Sequence, residues 1–211
     1  MVITLLAACD RLTKPTSSGR PYEVLVVVDD QLWQRPAGRA LFDVLDTDVP
    51  GLPQPERSFR ISQTTQKRFS QVLNIFRTII KVDIDPTQYT QTKMKFTRDV
   101  YARPQVVLTI QSPNEKDFAA FVKKNSRSII DFLVKVEMNR QINELEEKHS
   151  EAVSQLAEEI FKCQLWAPAE IKSYKKGKDF FWASSNTASG LVNICMYSYP
   201  YEGPRTFNKQ Y

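Results

Sequence analysis

Histidine and glycine are scarce in this chain of 211 residues, which has one histidine and six glycines. The single histidine, His149, has only Leu145 and Val153 at four residues' distance, and neither can bind a metal or relay a proton. The few glycines form no Gly-rich phosphate loop and no Gly-x-Ser-x-Gly elbow. We therefore expect no metal site, no cofactor and no serine or cysteine nucleophile activated by histidine.

Long apolar runs are also missing, since none approaches the roughly 20 residues of a membrane-spanning helix. Hydrophobic residues make up 42% of the chain and charged residues 25%, an ordinary globular balance. The net charge of +5 favours anionic lipid headgroups or acidic polymers. The densest basic cluster lies within residues 172–178 and is typical of a solvated loop. We expect no nucleic acid among the partners.

The N-terminus carries the sequence Leu6-Ala7-Ala8-Cys9, which resembles the lipobox of bacterial lipoproteins. In a lipobox the cysteine sulfur receives diacylglycerol, and the chain is cleaved before that cysteine. Residues 1–8 are then a signal segment, and a truncated one, because a signal peptide needs a basic region and a longer apolar core. Residues 9–21, rich in Ser, Thr, Pro and Gly, are predicted to be a lipid-attached linker.

The other two cysteines, Cys163 and Cys195, leave two alternatives open. In an oxidising envelope they can form a disulfide. Otherwise they are two buried thiols, which pack like small hydrophobic side chains. The sequence does not decide between these states because it does not fix the separation of the two Cα atoms.

The apolar periodicity predicts an α+β fold with a mixed sheet, packed helices and one long helix. Strands are predicted at 22–28, 58–62, 78–84, 105–111, 179–184 and 191–199, with an edge strand within 87–103. Helices are predicted at 37–46, at 65–76 with Phe69, Val72, Leu73 and Phe76 inward, from about 113, and at about 126–161. We place all of these elements in one domain at 22–211.

Asp29 and Asp30 follow the first predicted strand, at the edge where open α/β sheets bind ligands. They are a candidate acidic site for a hydrolase that relies on carboxylates. Adjacent residues of an extended chain point to opposite faces, however. We therefore favour a simpler role, in which the two aspartates end the strand and cap the next element.

Tyr197, Tyr199 and Tyr201 alternate near the C-terminus, so a strand would place them on one face. Trp182 lies on the neighbouring predicted strand. Such a face could bind a sugar or a peptide. Aromatic residues in strands also pair across the sheet and stabilise it, which is the interpretation that we favour.

Five stretches resemble an uncharacterised family of Gram-negative envelope lipoproteins, and the resemblance spans nearly the whole chain. They are YEVLVVVDD at 22–30, DTDVPGLPQPE at 46–56, EMNRQ at 137–141, NIC at 193–195 and YSYPY at 197–201. The family is a domain of unknown function, so the resemblance implies a lipid-anchored, periplasm-facing location and no chemistry. Its members continue past the end of this chain, which implies that the domain at 22–211 is incomplete at its C-terminus.

Together these features predict a lipid-anchored protein of the cell envelope that acts as a non-catalytic binding or interaction module. The expected partners are the membrane, through lipid on Cys9, and an envelope protein that contacts the long helix. The alternatives are a carboxylate-dependent hydrolase and a carbohydrate- or peptide-binding protein of the periplasm. The sequence does not identify a small-molecule ligand.

Overall fold

Helices and two separate sheets make up the computed structural model, which describes residues 14–70, 72–187 and 190–208. The chain divides into two compact units, residues 1–138 and 139–211, so the range 22–211 comprises most of the first unit and all of the second. The predicted α+β class is confirmed, because one sheet is mixed with five strands and the other is antiparallel with three. None of the described helices is both long and apolar enough to span a membrane. Cys9 lies outside the described residues.

The sheet of the N-terminal unit has the strand order β2-β1-β3-β5-β4. Its strands are β1 (Glu23–Val27), β2 (Arg60–Thr64), β3 (Thr78–Ile84), β4 (Lys93–Arg98) and β5 (Val106–Ser112). The first four in this order are parallel to one another, whereas β4 runs antiparallel to β5 at one edge. The predicted edge strand within 87–103 is therefore confirmed as β4.

Helices cover one face of this sheet. They are α1 (Asp30–Gln34), α2 (Pro36–Leu45), α3 (Glu115–Lys124) and α4 (Ser126–Glu147). Leu41 of α2, Phe118 of α3 and Ile129 of α4 are fully buried against Val26 and Leu108 of the strands. The apolar stripes of the helices and every second strand residue therefore share one core.

Turns, not a helix, connect β2 to β3, so the helix predicted at 65–76 is wrong. Phe69, Leu73 and Phe76 are nevertheless turned inward, against the sheet face opposite the helices. Val72 is 75% exposed, although the helical pattern placed it inward. The contact with the sheet satisfies the apolar side chains without a helix, which is a case of tertiary packing overriding a local pattern.

The predicted long helix at 126–161 is two helices. α4 ends at Glu147, and α5 runs from Glu151 to Phe161. Between them, the Ser150 hydroxyl accepts the Val153 N–H as the cap of α5 and donates to the Ile171 carbonyl at 2.6 Å. A serine that caps one helix and is tied to a distant backbone ends the continuous helical pattern there.

In the C-terminal unit, α5 packs on a three-stranded sheet of order β6-β7-β8. Its strands are β6 (Ser173–Lys176), β7 (Phe180–Thr187) and β8 (Gly190–Tyr197), and a 3-10 helix follows at Pro204–Phe207. The core joins Leu156 and Ala157 of α5 to Phe181 and Ala183 of β7. The opposite face of this sheet carries no helix in the described residues of the unit.

Candidate functional site

A groove of about 980 Å³ lies in the N-terminal unit, at the carboxyl ends of its parallel strands. β1 and β3 are neighbours in the sheet, and the chain leaves them in opposite lateral directions. After β1 it passes through α1 and α2 to β2 at one edge of the sheet, whereas after β3 it goes to β4 at the other edge. Neighbouring parallel strands whose connections diverge in this way open a crevice at their carboxyl ends, where ligands of open α/β sheets bind. The groove therefore occupies the place that the topology favours for a ligand.

Polar side chains of three strands line the groove in one lateral row. Lys81 of β3 and Lys95 of β4 both pair with Thr109 of β5 in the sheet register. Because side chains alternate along a strand, these three lie on the face opposite the apolar residues Ile80 and Leu108. One end of this sheet face is thus polar and open, while Phe69, Leu73 and Phe76 cover the other end.

The predicted acidic pair lines this groove, and each carboxylate already has partners. Asp29 accepts the Gln31 N–H at 2.9 Å and caps α1, the capping role that the sequence favoured. Asp30 accepts from the Gln63 amide at 3.0 Å and pairs with the Arg68 guanidinium. The two side chains therefore have different partners, a backbone N–H of α1 for Asp29 and the Gln63 and Arg68 side chains for Asp30.

A third carboxylate, Asp83, accepts a hydrogen bond from the Tyr89 hydroxyl. The Gln111 amide donates to the same hydroxyl at 2.6 Å, so the three side chains form a connected network beside the groove. The hydrogen bond to Asp83 raises the pKa of Tyr89, because a phenolate would lose that bond and lie beside a carboxylate. The phenol therefore keeps its proton at neutral pH.

The cations of the groove are less fully engaged than its carboxylates. Lys67, Arg68, Lys81 and Lys95 line it, against Asp29, Asp30 and Asp83. Among the described residues, Lys81 and Lys95 form no ion pair, and the Lys81 ammonium lies 5.5 Å from the centroid of the Phe69 ring. Lys81 as a whole residue is half-buried, whereas Lys95 is exposed.

Sequence reasoning did not single out Lys81, Thr109 or Lys95. The available signal was a polar residue at the middle position of each of two largely apolar strands, Lys81 in TIIKVDI and Thr109 in VVLTIQS. Their proximity depends on a strand register that the local sequence does not reveal.

The predicted aromatic face lies in the C-terminal unit. Trp182 and Tyr197 are on the side of the sheet opposite α5, and the Trp182 indole donates to Asn193 at 3.1 Å. Tyr197 stacks on Tyr199 with ring centroids 6.1 Å apart, whereas Tyr201 stacks on Phe207. Since β8 ends at Tyr197, the three tyrosines do not belong to one strand. They are 66%, 50% and 65% exposed.

The histidine and the two described cysteines form no site with one another. The Nδ1 atom of His149 lies 2.8 Å from the Leu145 carbonyl oxygen, and its ring stacks on Trp166. Cys163 and Cys195 are free thiols. Within residues 14–70, 72–187 and 190–208, no cluster of His, Cys, Asp and Glu side chains is suited to hold a metal ion.

Two family models cover most of the sequence. Residues 17–146, more than half of the chain, match a domain of unknown function, DUF8532. The chain belongs to the DUF8532 family. Residues 150–211 match a second domain of unknown function, DUF4837. The DUF8532 match contains every residue of the groove, and the DUF4837 match begins at Ser150, the cap of α5. No curated protein and no solved structure matches the sequence.

Proposed function

We propose that the protein is a non-catalytic binding module whose DUF8532 part holds a small ligand in the groove at the ends of β1, β3 and β5. The observation that carries this proposal is the open polar face at the point where the strand connections diverge. The carboxylates that could act as acid and base are engaged in a cap, an ion pair and a phenol hydrogen bond. We therefore favour ligand binding over acid–base catalysis as the role of the groove.

A ligand screen with a blocked groove tests this function. We expect a soluble metabolite library to contain compounds that shift the amide signals of Lys81 and Thr109 in NMR spectra, and Thr109→Trp to abolish those shifts by filling the groove. Thr109 is half-buried, so a tryptophan there could disturb the fold. Gln66→Trp at the exposed rim of the groove is a second variant, which blocks the groove without changing the packing of the sheet. Ser128→Trp, on the exposed surface of α4, is the control.

Binding that persists in both groove variants, or that the Ser128→Trp control abolishes equally, would contradict the proposed location. Conversion of the bound compound during the experiment would show a catalytic function instead.

Lipid anchoring through Cys9 is the second part of the proposal, and it is supported by the sequence Leu6-Ala7-Ala8-Cys9 and the tether that follows. An acylated Cys9 would place the binding module on a membrane of a Gram-negative envelope, facing the periplasm. Several acyl chains on one cysteine hold stably, since each buried methylene contributes about 0.8 kcal/mol. The mass of the N-terminal peptide from the native host should show acylation, and Cys9→Ser should release the protein from membranes. An unmodified N-terminus would refute the anchor.

The aromatic face of the DUF4837 part favours a second candidate function, the binding of a carbohydrate or a peptide. Tyr197, Tyr199 and Tyr201 are each at least half exposed, which is unusual for aromatic side chains that serve only to pair across a sheet. Replacing all three with alanine should abolish binding to a glycan or peptide array and leave the groove ligands unaffected. Unchanged array binding by the triple variant would remove this candidate.

A further inference from the structure

We propose that the groove of the N-terminal unit is a phosphate-binding subsite, in which Lys81 and Lys95 supply the positive charge and Thr109 a hydroxyl donor. The ligand class is thus a small molecule that carries a phosphate group. This inference rests on the binding function proposed above and adds the chemistry of the ligand.

The sheet register puts the three groups in the right order. Thr109 pairs with Lys81 on one side and with Lys95 on the other. Since adjacent strands are about 4.8 Å apart, the two lysine Cα atoms are separated by about 10 Å, with Thr109 between them on the same face. Two flexible ammonium groups can therefore converge on an oxyanion that is seated over the threonine hydroxyl.

The charges in the groove favour an anion over a cation. Its lining has four cationic side chains and three carboxylates, of which Asp30 is paired with Arg68. Asp29 and Asp83 accept hydrogen bonds from neutral donors and keep their charge, so the cations are in excess by one. Lys81, by contrast, has an aromatic ring beside its ammonium group and no carboxylate in ion-pair contact among the described residues. A cation that is not already paired with a carboxylate is available to attract an incoming anion.

The types of donor favour phosphate over carboxylate. Planar carboxylates are recognised best by the fork of an arginine guanidinium, and the arginine of the groove, Arg68, is already paired with Asp30. Lysines act as point charges and bind phosphate from several directions. A phosphate monoester carries a charge of about −1.5 to −2 at neutral pH, which two ammonium groups balance.

Inorganic phosphate is the first probe, titrated at constant ionic strength and followed by NMR shifts of the residues that line the groove. We expect saturable shifts at Lys81, Thr109 and Lys95. Lys81→Gln and Lys95→Gln should each weaken binding about tenfold, as expected for the loss of one charge-assisted hydrogen bond. Lys135→Gln removes the same charge from an exposed position on α4, and it should leave the dissociation constant unchanged.

Each result separates this inference from the proposed function. Saturable binding that weakens in the two groove variants alone supports the phosphate subsite. If phosphate gives no saturable shift while a neutral metabolite binds and is lost in Thr109→Trp, the phosphate subsite is wrong and the binding function remains. If phosphate binding weakens equally in Lys135→Gln, it reflects net charge only and the subsite is refuted. Failure of every compound to bind the groove would refute both proposals.

The phosphate could belong to a soluble metabolite or to a lipid headgroup, and a second pair of probes distinguishes these sources. Soluble glycerol phosphate is compared with vesicles of phosphatidylcholine that contain phosphatidic acid. Glycerol phosphate that binds more tightly than inorganic phosphate, with no Lys81-dependent vesicle binding, identifies a soluble ligand. Vesicle binding that Lys81→Gln abolishes and Lys135→Gln retains identifies a lipid headgroup. Either result requires the phosphate subsite.

Discussion

In the N-terminal unit four helices cover one face of a mostly parallel sheet, whereas in the C-terminal unit a single helix covers one face of an antiparallel sheet. Each sheet keeps an uncovered area, but the two areas differ in chemistry. The area in the N-terminal unit is polar and carries Lys81 and Thr109. The area in the C-terminal unit is aromatic and carries Trp182 and Tyr197.

This difference in chemistry is informative because parallel and antiparallel sheets normally differ in the solvent exposure of their faces. Parallel strands are ordinarily buried on both faces and consist of nearly continuous apolar residues, whereas antiparallel sheets commonly leave one face in water. A half-buried lysine within the apolar strand β3 therefore departs from what its sheet type requires. Exposed aromatic side chains depart in the other direction, since the open face of an antiparallel sheet is usually polar. Both departures are the observations on which the proposed binding functions rest.

Truncation of the largest fully buried side chain in each core is expected to reduce stability most. Phe118→Ala and Phe181→Ala each remove a ring that is fully buried, which costs about 3–5 kcal/mol. The core of the C-terminal unit contains 7 buried residues against 16 in the main core of the N-terminal unit, so Phe181→Ala removes a larger share of it. We expect amide exchange to show that Phe181→Ala unfolds residues 150–208 and leaves the strands β1, β3 and β5 protected.

The matching control is Phe207→Ala, because Phe207 is 75% exposed and should contribute little to stability. If Phe181→Ala instead abolished protection in both units, the comparison between two separate cores would be wrong.

Breaking the buried ion pair of the N-terminal unit should cost about 3 kcal/mol. The Arg77 guanidinium lies 2.9 Å from the Glu137 carboxylate, and their side chains are 18% and 3% exposed. Glu137→Gln removes the negative charge that faces the largely buried Arg77 guanidinium. Chemical denaturation measures the loss, and Asp131→Asn is the control, since its pair with Arg127 is exposed and worth less than about 1 kcal/mol.

The double variant Arg77→Met/Glu137→Met should recover most of the stability, because apolar side chains of similar volume can replace a buried pair. A double variant as unstable as Glu137→Gln would show that the charges themselves are needed.

Gly38→Ala tests how closely the helix layer of the N-terminal unit is packed. A Cβ atom at Gly38 would lie 2.2 Å from the Leu32 carbonyl oxygen and 2.6 Å from the Trp33 Cα. Both are backbone atoms, so α1 and α2 must shift, at a cost of about 1–3 kcal/mol despite the better helix propensity of alanine. Thermal unfolding measures this loss. Gly177→Ala, in the C-terminal unit, meets only ordinary contacts at 3.9 Å and should change the melting temperature little.

The smallest loss of stability is expected on replacing Asp99, which lies between β4 and β5. Its carboxylate accepts the Gln105 N–H at 2.9 Å and the Arg103 guanidinium at 3.0 Å. Burial acts to raise the pKa of Asp99, but the hydrogen bonds from Gln105 and Arg103 outweigh it and hold the pKa below its usual value of 3.8. A lowered pKa means that the carboxylate stabilises the fold above pH 3.8 and that this contribution is lost as the pH falls through the folded-state value.

Asp99→Asn keeps a side chain that tolerates the positive φ of 52° and removes the charge. We expect it to cost about 1 kcal/mol at pH 7, from two weakened hydrogen bonds, and less at pH 2.5. Denaturation of both proteins at the two pH values measures the difference. An equal loss at both pH values would mean that the charge of Asp99 does not contribute.

Local patterns predicted the strands better than the connections. The β3 strand lies at the predicted residues 78–84, because a short segment rich in the β-branched residues Ile and Val favours a strand over a helix. The same kind of pattern misled at 65–76, where apolar residues at helical spacing pack on the sheet from turns. The apolar pattern at 126–161 also gave a wrong prediction, because apolar residues at helical spacing continue past Ser150, where α5 begins.

The candidate site was predicted in part. Asp29 and Asp30, which the sequence placed at the carboxyl end of the first strand, both line the groove. The sequence could not indicate that each carboxylate has a different partner, because Arg68 reaches Asp30 from a distant part of the chain. Nor could it place Lys81 and Lys95 on either side of Thr109, since that arrangement arises from the pairing of β5 with both β3 and β4.

The sequence by itself determined the α+β class, the main strands and the cap formed by Asp29, since these depend on apolar runs and on hydrogen bonds between residues close in the chain. The tertiary structure alone decided where the long helical pattern breaks and which polar side chains meet. Those features depend on strand order and register, which bring together residues far apart in sequence and leave Lys81, Thr109 and Lys95 on one open face.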